Sequence, residues 1–366
     1  MPPKLLVISN YAITMHNVWP EAEMVIGLKE RGLDVEVMTP RDCPYAERMA
    51  GFGIPIHDYL PPSKFSSAAA RRVRQVLRSG GHQLQYLFNN PAIIAGLRAS
   101  RDLPVRNVTY RGQVGNISRY DPSAYLTHLN PRVDRIVCVA NAVRDGLRPE
   151  LRDPSKAVTI YKGHDIDWYA DVEAADRASL DLPTDAFVFA CVATNRPRKG
   201  VPVLLDAMAR LPADSTVHLL LVGGGMDGPE IDQLVRDNPQ RDRIHRFGHR
   251  DDVLRLVAAA DAAVLPSLRR EGLPKTVIEA MALGLPPIVT RTGGSPELVV
   301  AGESGWVVPP GEAAALTAAM QELAADPGRA RRMGDAARQR LIRDFNLQQS
   351  IDAHLRLFTR LASVSI

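Results

Sequence analysis

Short runs of aliphatic and β-branched residues alternate, along almost the whole chain, with amphipathic stretches of helical period. The runs 5–9, 34–38, 85–88, 105–109, 135–139 and 158–161 read as strands, with helices at 21–31, 68–78, 91–99 and 141–147 between them. The rhythm resumes with strands at 187–192, 218–222, 244–247, 262–265 and 287–290. Helices near 201–211, 251–258, 275–282 and 312–325 separate these. Strand–helix–strand alternation demands crossovers, and crossovers make parallel sheets covered on both faces. The pattern therefore predicts an α/β protein. It breaks once, over the polar stretch 165–185 with Asp171, Glu173 and Asp176, and the domain boundary is expected there. A chain of 366 residues suits two domains of about 150–200 residues each. Two Rossmann-like, doubly wound domains with a cleft between them are expected, with ligands at the carboxyl ends of the strands. The final helical segment, 328–361, is long enough to cross back onto the first domain.

Composition narrows the class. Charged residues make up 23%, ordinary for a soluble protein, and the mild net charge of +4 fits a polyanionic ligand, an anionic membrane surface or nothing specific. The three cysteines, Cys43, Cys138 and Cys191, are far apart and fit neither a disulfide framework nor a metal cluster, so a reducing cytoplasm is expected. The apolar run at 5–9 is too short for a signal-peptide core, and no segment reaches the roughly 20 apolar residues of a membrane span. Basic residues are not interleaved with aromatics, so no nucleic-acid partner is expected.

The richest segment is 270–282, Arg-Glu-Gly-Leu-Pro-Lys-Thr-Val-Ile-Glu-Ala-Met-Ala. Glu271 lies in a loop and Glu279 one turn into a helix that Pro274 precedes. A helix start offers unpaired N–H groups and partial positive charge to a diphosphate, and carboxylates accept hydrogen bonds from sugar or ribose hydroxyls. The competing reading is an exposed helix start with acids favoured by the dipole.

Glu271 and Glu279 resemble the E-x7-E motif of retaining glycosyltransferases of the GT-B fold, of the glycosyltransferase family 4 (group 1) type. The continuation 284–290, the run Gly293-Gly294-Ser295-Pro296-Glu297-Leu298 and Gly305 with Val307, Val308 and Pro309 are similar to that family's following motifs. The likeness is near-continuous over 188–308 and weaker over the first 100 residues. It implies an acceptor-binding domain at 1–165, a nucleotide-sugar-binding domain at 166–345 and a helix at 346–366 returning to the first. It also implies Glu271 on the donor sugar's hydroxyls and Glu279 on the nucleotide ribose, with Gly272, Leu273, Lys275 and Thr276 lining the donor site. No cofactor or metal is implied, the nucleotide-diphosphate sugar being the donor substrate.

The run 193–200 follows a strand and carries Arg196, Arg198 and Lys199. Three bases in a loop before a helix make an anion site, or else a solvated basic turn. By resemblance, Arg196 and Lys199 hold the donor diphosphate, although the family's commoner spacing would put an arginine where Thr194 stands. Gly223, Gly225 and Gly228 match the letters of a dinucleotide fingerprint, but Asp242 precedes a strand where an acid should end one. They read as a tight turn, and Gly224 falls in the family's glycine loop beside the donor. The run 247–253 resembles the loop beside the base; Asp251 and Asp252 there also read as N-caps.

The first domain departs from the family. No glycine occurs in 10–19, and Tyr110-Arg111-Gly112 stands where an active-site histidine is common. Arg111 reads equally as a phosphate or acceptor contact and as a structural residue. The stretch 64–78, with Lys64, Phe65, Arg71, Arg72, Arg74 and Arg78, contains no acid. It reads either as a solvated helix face or, with Val73, Val76 and Leu77, as a peripheral contact with an anionic membrane, which would favour a lipid-linked or glycan acceptor. The expected activity is sugar transfer to an acceptor hydroxyl in cell-surface glycan, lipopolysaccharide or glycolipid synthesis. The alternatives are an epimerase or hydrolase, for which only unplaced histidines such as His16, His82 and His128 offer acid–base groups, and a non-catalytic sugar-nucleotide-binding protein.

Overall fold

The computed structural model describes residues 2–12 and 15–363, with side chains throughout except at 15–17. The chain divides into two compact units, Met1–His164 with Phe345–Ile366, and Asp165–Asp344.

The first unit holds strands β1 (Lys4–Ile8), β2 (Asp34–Thr39), β3 (Ile56–Asp58), β4 (Leu84–Leu87), β5 (Arg106–Arg111), β6 (Arg135–Cys138) and β7 (Ala157–Thr159). Helices α1 (Met15–Glu30), α2 (Pro44–Gly51), α3 (Ser67–Gly80), α4 (Asn90–Ala99) and α5 (Asn141–Leu147) connect most of them. The sheet is parallel throughout, in the order β3-β2-β1-β4-β5-β6-β7. Local chemistry sets the helix ends. Ser66 accepts from the Ala69 amide and Asn89 from the Ala92 amide, and Gly81, at φ 67, takes the left-handed turn that ends α3.

The second unit repeats the plan. Strands β8 (Phe187–Val192), β9 (Val217–Val222), β10 (Ile244–Phe247), β11 (Ala262–Leu265), β12 (Pro287–Thr290) and β13 (Trp306–Val308) form a parallel sheet in the order β10-β9-β8-β11-β12-β13. Its helices are α6 (Val201–Ala209), α7 (Pro229–Arg236), α8 (Val253–Ala258), α9 (Lys275–Ala282), α10 (Ser295–Leu298), α11 (Ala313–Ala325) and α12 (Pro327–Asp344). Phe189, Leu219, Leu221 and Ile288 lie fully buried at its centre. In both sheets the strand order reverses beside the first strand, the topology in which doubly wound folds bind ligands at the carboxyl ends.

The last helix, α13 (Leu347–Ser363), belongs to the first unit and packs on α1. A Cβ on Gly27 would fall 2.2 Å from the Cδ1 of Ile351, so the Ile351 side chain fills the space that glycine leaves between the two helices. Arg31 pairs with Asp352 and donates to Gln348 at 2.7 Å, and the buried Phe358 ring meets Tyr86 edge-on.

The sequence pattern missed β3, β13, α2, α7 and α10. These are short: the strands have three residues each and give periodicity nothing to repeat. The stretch 64–78 needs a correction. Ala69, Val73, Val76 and Leu77 are buried within the unit, so the apolar face of α3 is not free to enter a membrane. Arg74 turns back to the Ala99 carbonyl at 2.9 Å, while Lys64, Phe65, Arg71, Arg72 and Arg78 remain exposed. No helix of the described residues is long and apolar enough to cross a membrane.

Candidate active site

Four loops at the carboxyl ends of the second sheet meet at the reversal between β8 and β11. Glycines decide how closely they meet. Gly200 has φ 70, and a Cβ there would lie 2.1 Å from the Pro266 carbonyl oxygen, so the loops after β8 and β11 touch backbone to backbone. The Leu268 amide donates to the Arg198 carbonyl at 2.8 Å across this contact. Gly293, at φ 52, makes a similar approach to Glu271, whose carbonyl oxygen would be 2.0 Å from its Cβ. The Gly294 amide then donates to the Gly272 carbonyl at 2.9 Å. The loops after β8 and β9 are joined by the Asn195 amide donating to the Gly224 carbonyl at 2.9 Å.

This backbone frame brings Lys199 and Glu271 together. The Lys199 ammonium donates to Oε1 of Glu271 at 2.7 Å, and the Ser267 hydroxyl donates to the same oxygen at 2.6 Å. Arg198 approaches it at 3.5 Å. Glu271 is only 5% exposed, so its charge rests on these donors rather than on water. Ser267 is itself fixed, because the Thr290 hydroxyl donates to its carbonyl. Arg270 holds φ 63 without being glycine, a strained setting of the residue that delivers Glu271.

Pro274 caps α9 with no side-chain hydrogen bond, so the helix start keeps its N–H groups and its partial positive charge at the mouth of the same loops. Gly272, Leu273 and Pro274 are buried in the approach, while Lys275 and Thr276 are half-buried on the first turn. Lys275 donates to Glu279 one turn later at 2.7 Å, and Glu279 is 5% exposed. Tyr169 lies near this carboxylate; burial, then the Glu279 charge, raises its hydroxyl well above the usual tyrosine range. Gly223, at φ 133, would set a Cβ 2.1 Å from the Ala193 carbonyl oxygen, so the glycine run is a turn pressed on its neighbour.

The arrangement thus gathers Glu271, Lys199, Gly272, Leu273, Lys275, Thr276, Glu279 and Gly224 on adjoining loops of one unit. Arg196 opens the same turn but is exposed, and its neighbour Arg198 is the arginine that leans on Glu271. Arg111 ends β5 in the first unit, with its guanidinium on the Gly115 carbonyl. Burial lowers its pKa from the ordinary arginine value. Neither Ser267 nor the particular part of Arg198 is legible in the sequence. Arg198 stood inside the basic run, whereas a serine four positions before a glutamate gives no signal of its own. Asp252 caps α8 by position only, its carboxylate being taken by Arg250 at 2.7 Å.

The histidines considered for acid–base work do not gather here. His16 lies outside the described side chains. His82 is buried beside Glu36 in the first unit. His128 faces the Thr109 hydroxyl at 2.9 Å, and burial, helped by Arg111, pushes its imidazole down to about 3.

Two family models match the chain: Glycosyltransferase Family 4 over residues 22–168 and Glycosyl transferases group 1 over residues 172–340. Residues 172–340 belong to the group 1 glycosyl transferases. Among curated relatives of this chain is the lipopolysaccharide core biosynthesis glycosyltransferase LpsE of Rhizobium meliloti, 33% identical over 51% of this chain and 54% of the relative. LpsD of the same organism is 28% identical over 72% of this chain and 73% of its own. The chain spans about half the length of the first curated relatives it matches. A glycosyltransferase from Rickettsia africae has the same fold, with a TM-score of 0.85 at 19% identity and full coverage of both chains. HepE of Anabaena, solved in complex with UDP-glucose, superposes with a TM-score of 0.79 at 21% identity over 99% of this chain and all of its own. The chain therefore has the GT-B fold, two Rossmann-like α/β domains with parallel sheets.

Proposed function

We propose that this chain is a hexosyltransferase that moves a sugar from a nucleotide-diphosphate sugar to an acceptor hydroxyl, retaining the anomeric configuration and needing no metal. The observation that carries the reading is the Lys199–Glu271 contact, shared with Ser267, beside the open start of α9. A diphosphate laid on that helix start meets Lys199, Arg198 and Arg196, which neutralise the charge that develops as it leaves. The bond from the anomeric carbon to the phosphate oxygen breaks with its electron pair on the diphosphate. The acceptor oxygen bonds to the same face of the sugar, and its proton passes to the departing diphosphate. No protein nucleophile is required by this route. Glu271 then turns its carboxylate to the donor sugar's hydroxyls, and Glu279 receives the ribose.

The acceptor is a glycan or a lipid-linked sugar of cell-surface glycan, lipopolysaccharide or glycolipid synthesis, a reading supported by relatives named for lipopolysaccharide core and colanic acid biosynthesis. The protein works in the cytoplasm, in keeping with its three free, buried cysteines. Any contact with an anionic membrane falls to exposed Phe65 with Lys64, Arg71 and Arg72. Calorimetry with UDP-, GDP-, ADP- and dTDP-sugars tests the donor site. Saturable binding to one nucleotide class is expected, weakened at least about tenfold by Lys199→Ala and by Glu279→Ala. A folded protein that binds none of the four has no donor site here.

A further inference from the structure

The first unit carries a cavity of about 580 Å³, within the range of roughly 300–1,000 Å³ usual for ligand sites. It opens at the amino ends of β6 and β7, the end of the sheet away from Arg111. Lys156 stands directly before β7 and donates to the carbonyls of Pro131 at 3.0 Å and Val133 at 2.6 Å, just ahead of β6. The rest of the wall is also built. The Tyr125 hydroxyl donates to the Arg119 carbonyl at 3.2 Å, the Arg119 amide to Glu150 at 2.7 Å, and the Asn130 side-chain amide to the Tyr125 carbonyl at 2.8 Å. His128 lies at the back of the cavity, 4% exposed and held neutral.

The rim is unlike the rest of this surface. Tyr125, in the cavity wall, is 45% exposed, and its sequence neighbours Leu126 and Tyr120 are 41% and 86% exposed, in a chain with only 5% aromatic residues. Around them stand Arg119 and Arg152 together with the carboxylates of Glu150 and Asp153. An aromatic face beside polar groups of both signs matches the pyranose ring, which has apolar C–H faces and an equatorial belt of hydroxyls that both donate and accept. An apolar ligand would take the exposed Arg152 and Asp153 out of water with nothing in return. A simple anion would use neither the carboxylates nor the tyrosine rings.

We propose that this cavity is a second carbohydrate-binding site, which holds a sugar unit of a glycan apart from the donor loops of the other unit. Naming that glycan as the acceptor's own chain rests on the transfer reading above; the binding itself does not. Calorimetry on the full chain tests it, with UDP saturating the donor site throughout. The probes are maltohexaose and a phosphate-bearing core oligosaccharide released from lipopolysaccharide. One of them binds, and the affinity falls at least about tenfold in Tyr125→Ala/Arg152→Ala but less than about twofold in Lys199→Ala. Arg152→Glu, at an exposed position, gives the same loss and keeps the test open if the tyrosine variant does not fold. No binding of either probe, binding that UDP displaces, or binding unchanged in both variants overturns the site. So does a concentration-dependent dimer abolished by Tyr120→Ser, which would give the rim to a second copy. Oligosaccharide binding without sugar transfer would remove the proposed activity and leave this site standing.

Discussion

Lys199 and Glu271 show how the site spends its charges. A carboxylate this buried is tolerable only because an ammonium and a hydroxyl meet the same oxygen. Urea unfolding of Lys199→Met, Glu271→Gln and the double variant should therefore return a coupling of about 1–3 kcal/mol; a coupling under about 0.5 kcal/mol would mean the two charges ignore each other. Arg198 rather than Arg196 leans into the pair, so Arg198→Ala should weaken nucleotide-sugar binding more than Arg196→Ala does, in side-by-side titrations. Gly293→Ala should lower stability by more than about 1 kcal/mol, since its φ and the Glu271 carbonyl both exclude a side chain. Three buried histidines set the acid limit. His128 is held down to about 3, and His218 and His354 to about 4, in each case chiefly by burial, from an ordinary value near 6.5. The unfolded chain takes up those protons first as pH falls. The stability these neutral rings contribute is complete above about pH 6.5 and declines from there towards about pH 4. Melting curves at about pH 7 and about pH 5 should show the drop, and His128→Gln should lessen it.

At the level of elements, close packing through glycine recurs. A Cβ on Gly334 of α12 would fall 1.8 Å from the Gly284 carbonyl, just past α9, the helix whose start faces the proposed diphosphate. Gly334→Val should force α12 outward and lower the melting temperature; an unchanged melt would mean the helices have slack there. Much of this architecture was legible. Strands such as Phe187–Val192 and Val217–Val222 are buried on both faces and read as plain apolar runs, as parallel strands must. Lys199, Glu271 and Glu279 stood out through their likeness to the family's motifs, since charges at a helix start alone also serve the helix dipole. What stayed hidden depends on contacts distant in sequence. The stretch 64–78 left a solvated face and a membrane contact both open, and only the burial of Val73, Val76 and Leu77 shows that the apolar stripe of α3 packs inside the unit. Ser267 donates to Glu271 from a backbone that Thr290, 23 positions on, holds in place. The tyrosines of 120–126 gave no periodic signal, since Tyr120 lies outside any helix or strand and Tyr125 sits in a five-residue 3-10 turn.

At the level of the molecule, the two units are not made the same way. Residues 165–344 form one uninterrupted unit, whereas the first unit needs both 1–164 and the returning α13. The uninterrupted segment should fold when expressed alone and give a cooperative melt. The segment 1–164 alone leaves bare the α1 face against Ile351 and the Tyr86 ring against Phe358, and should be insoluble or molten until 345–366 is supplied. Phe358→Ala in the full chain should cost about 3–5 kcal/mol by the cavity it leaves, read by urea unfolding. The returning helix also orders events on the ribosome. The first unit leaves the exit tunnel early yet cannot close until 347–363 has been translated, so its sheet waits while the whole of the second unit emerges and folds. Through that interval the exposed side of α1 is the stretch most in need of a chaperone, and a stalled message leaves a sound second unit tethered to an unfinished first.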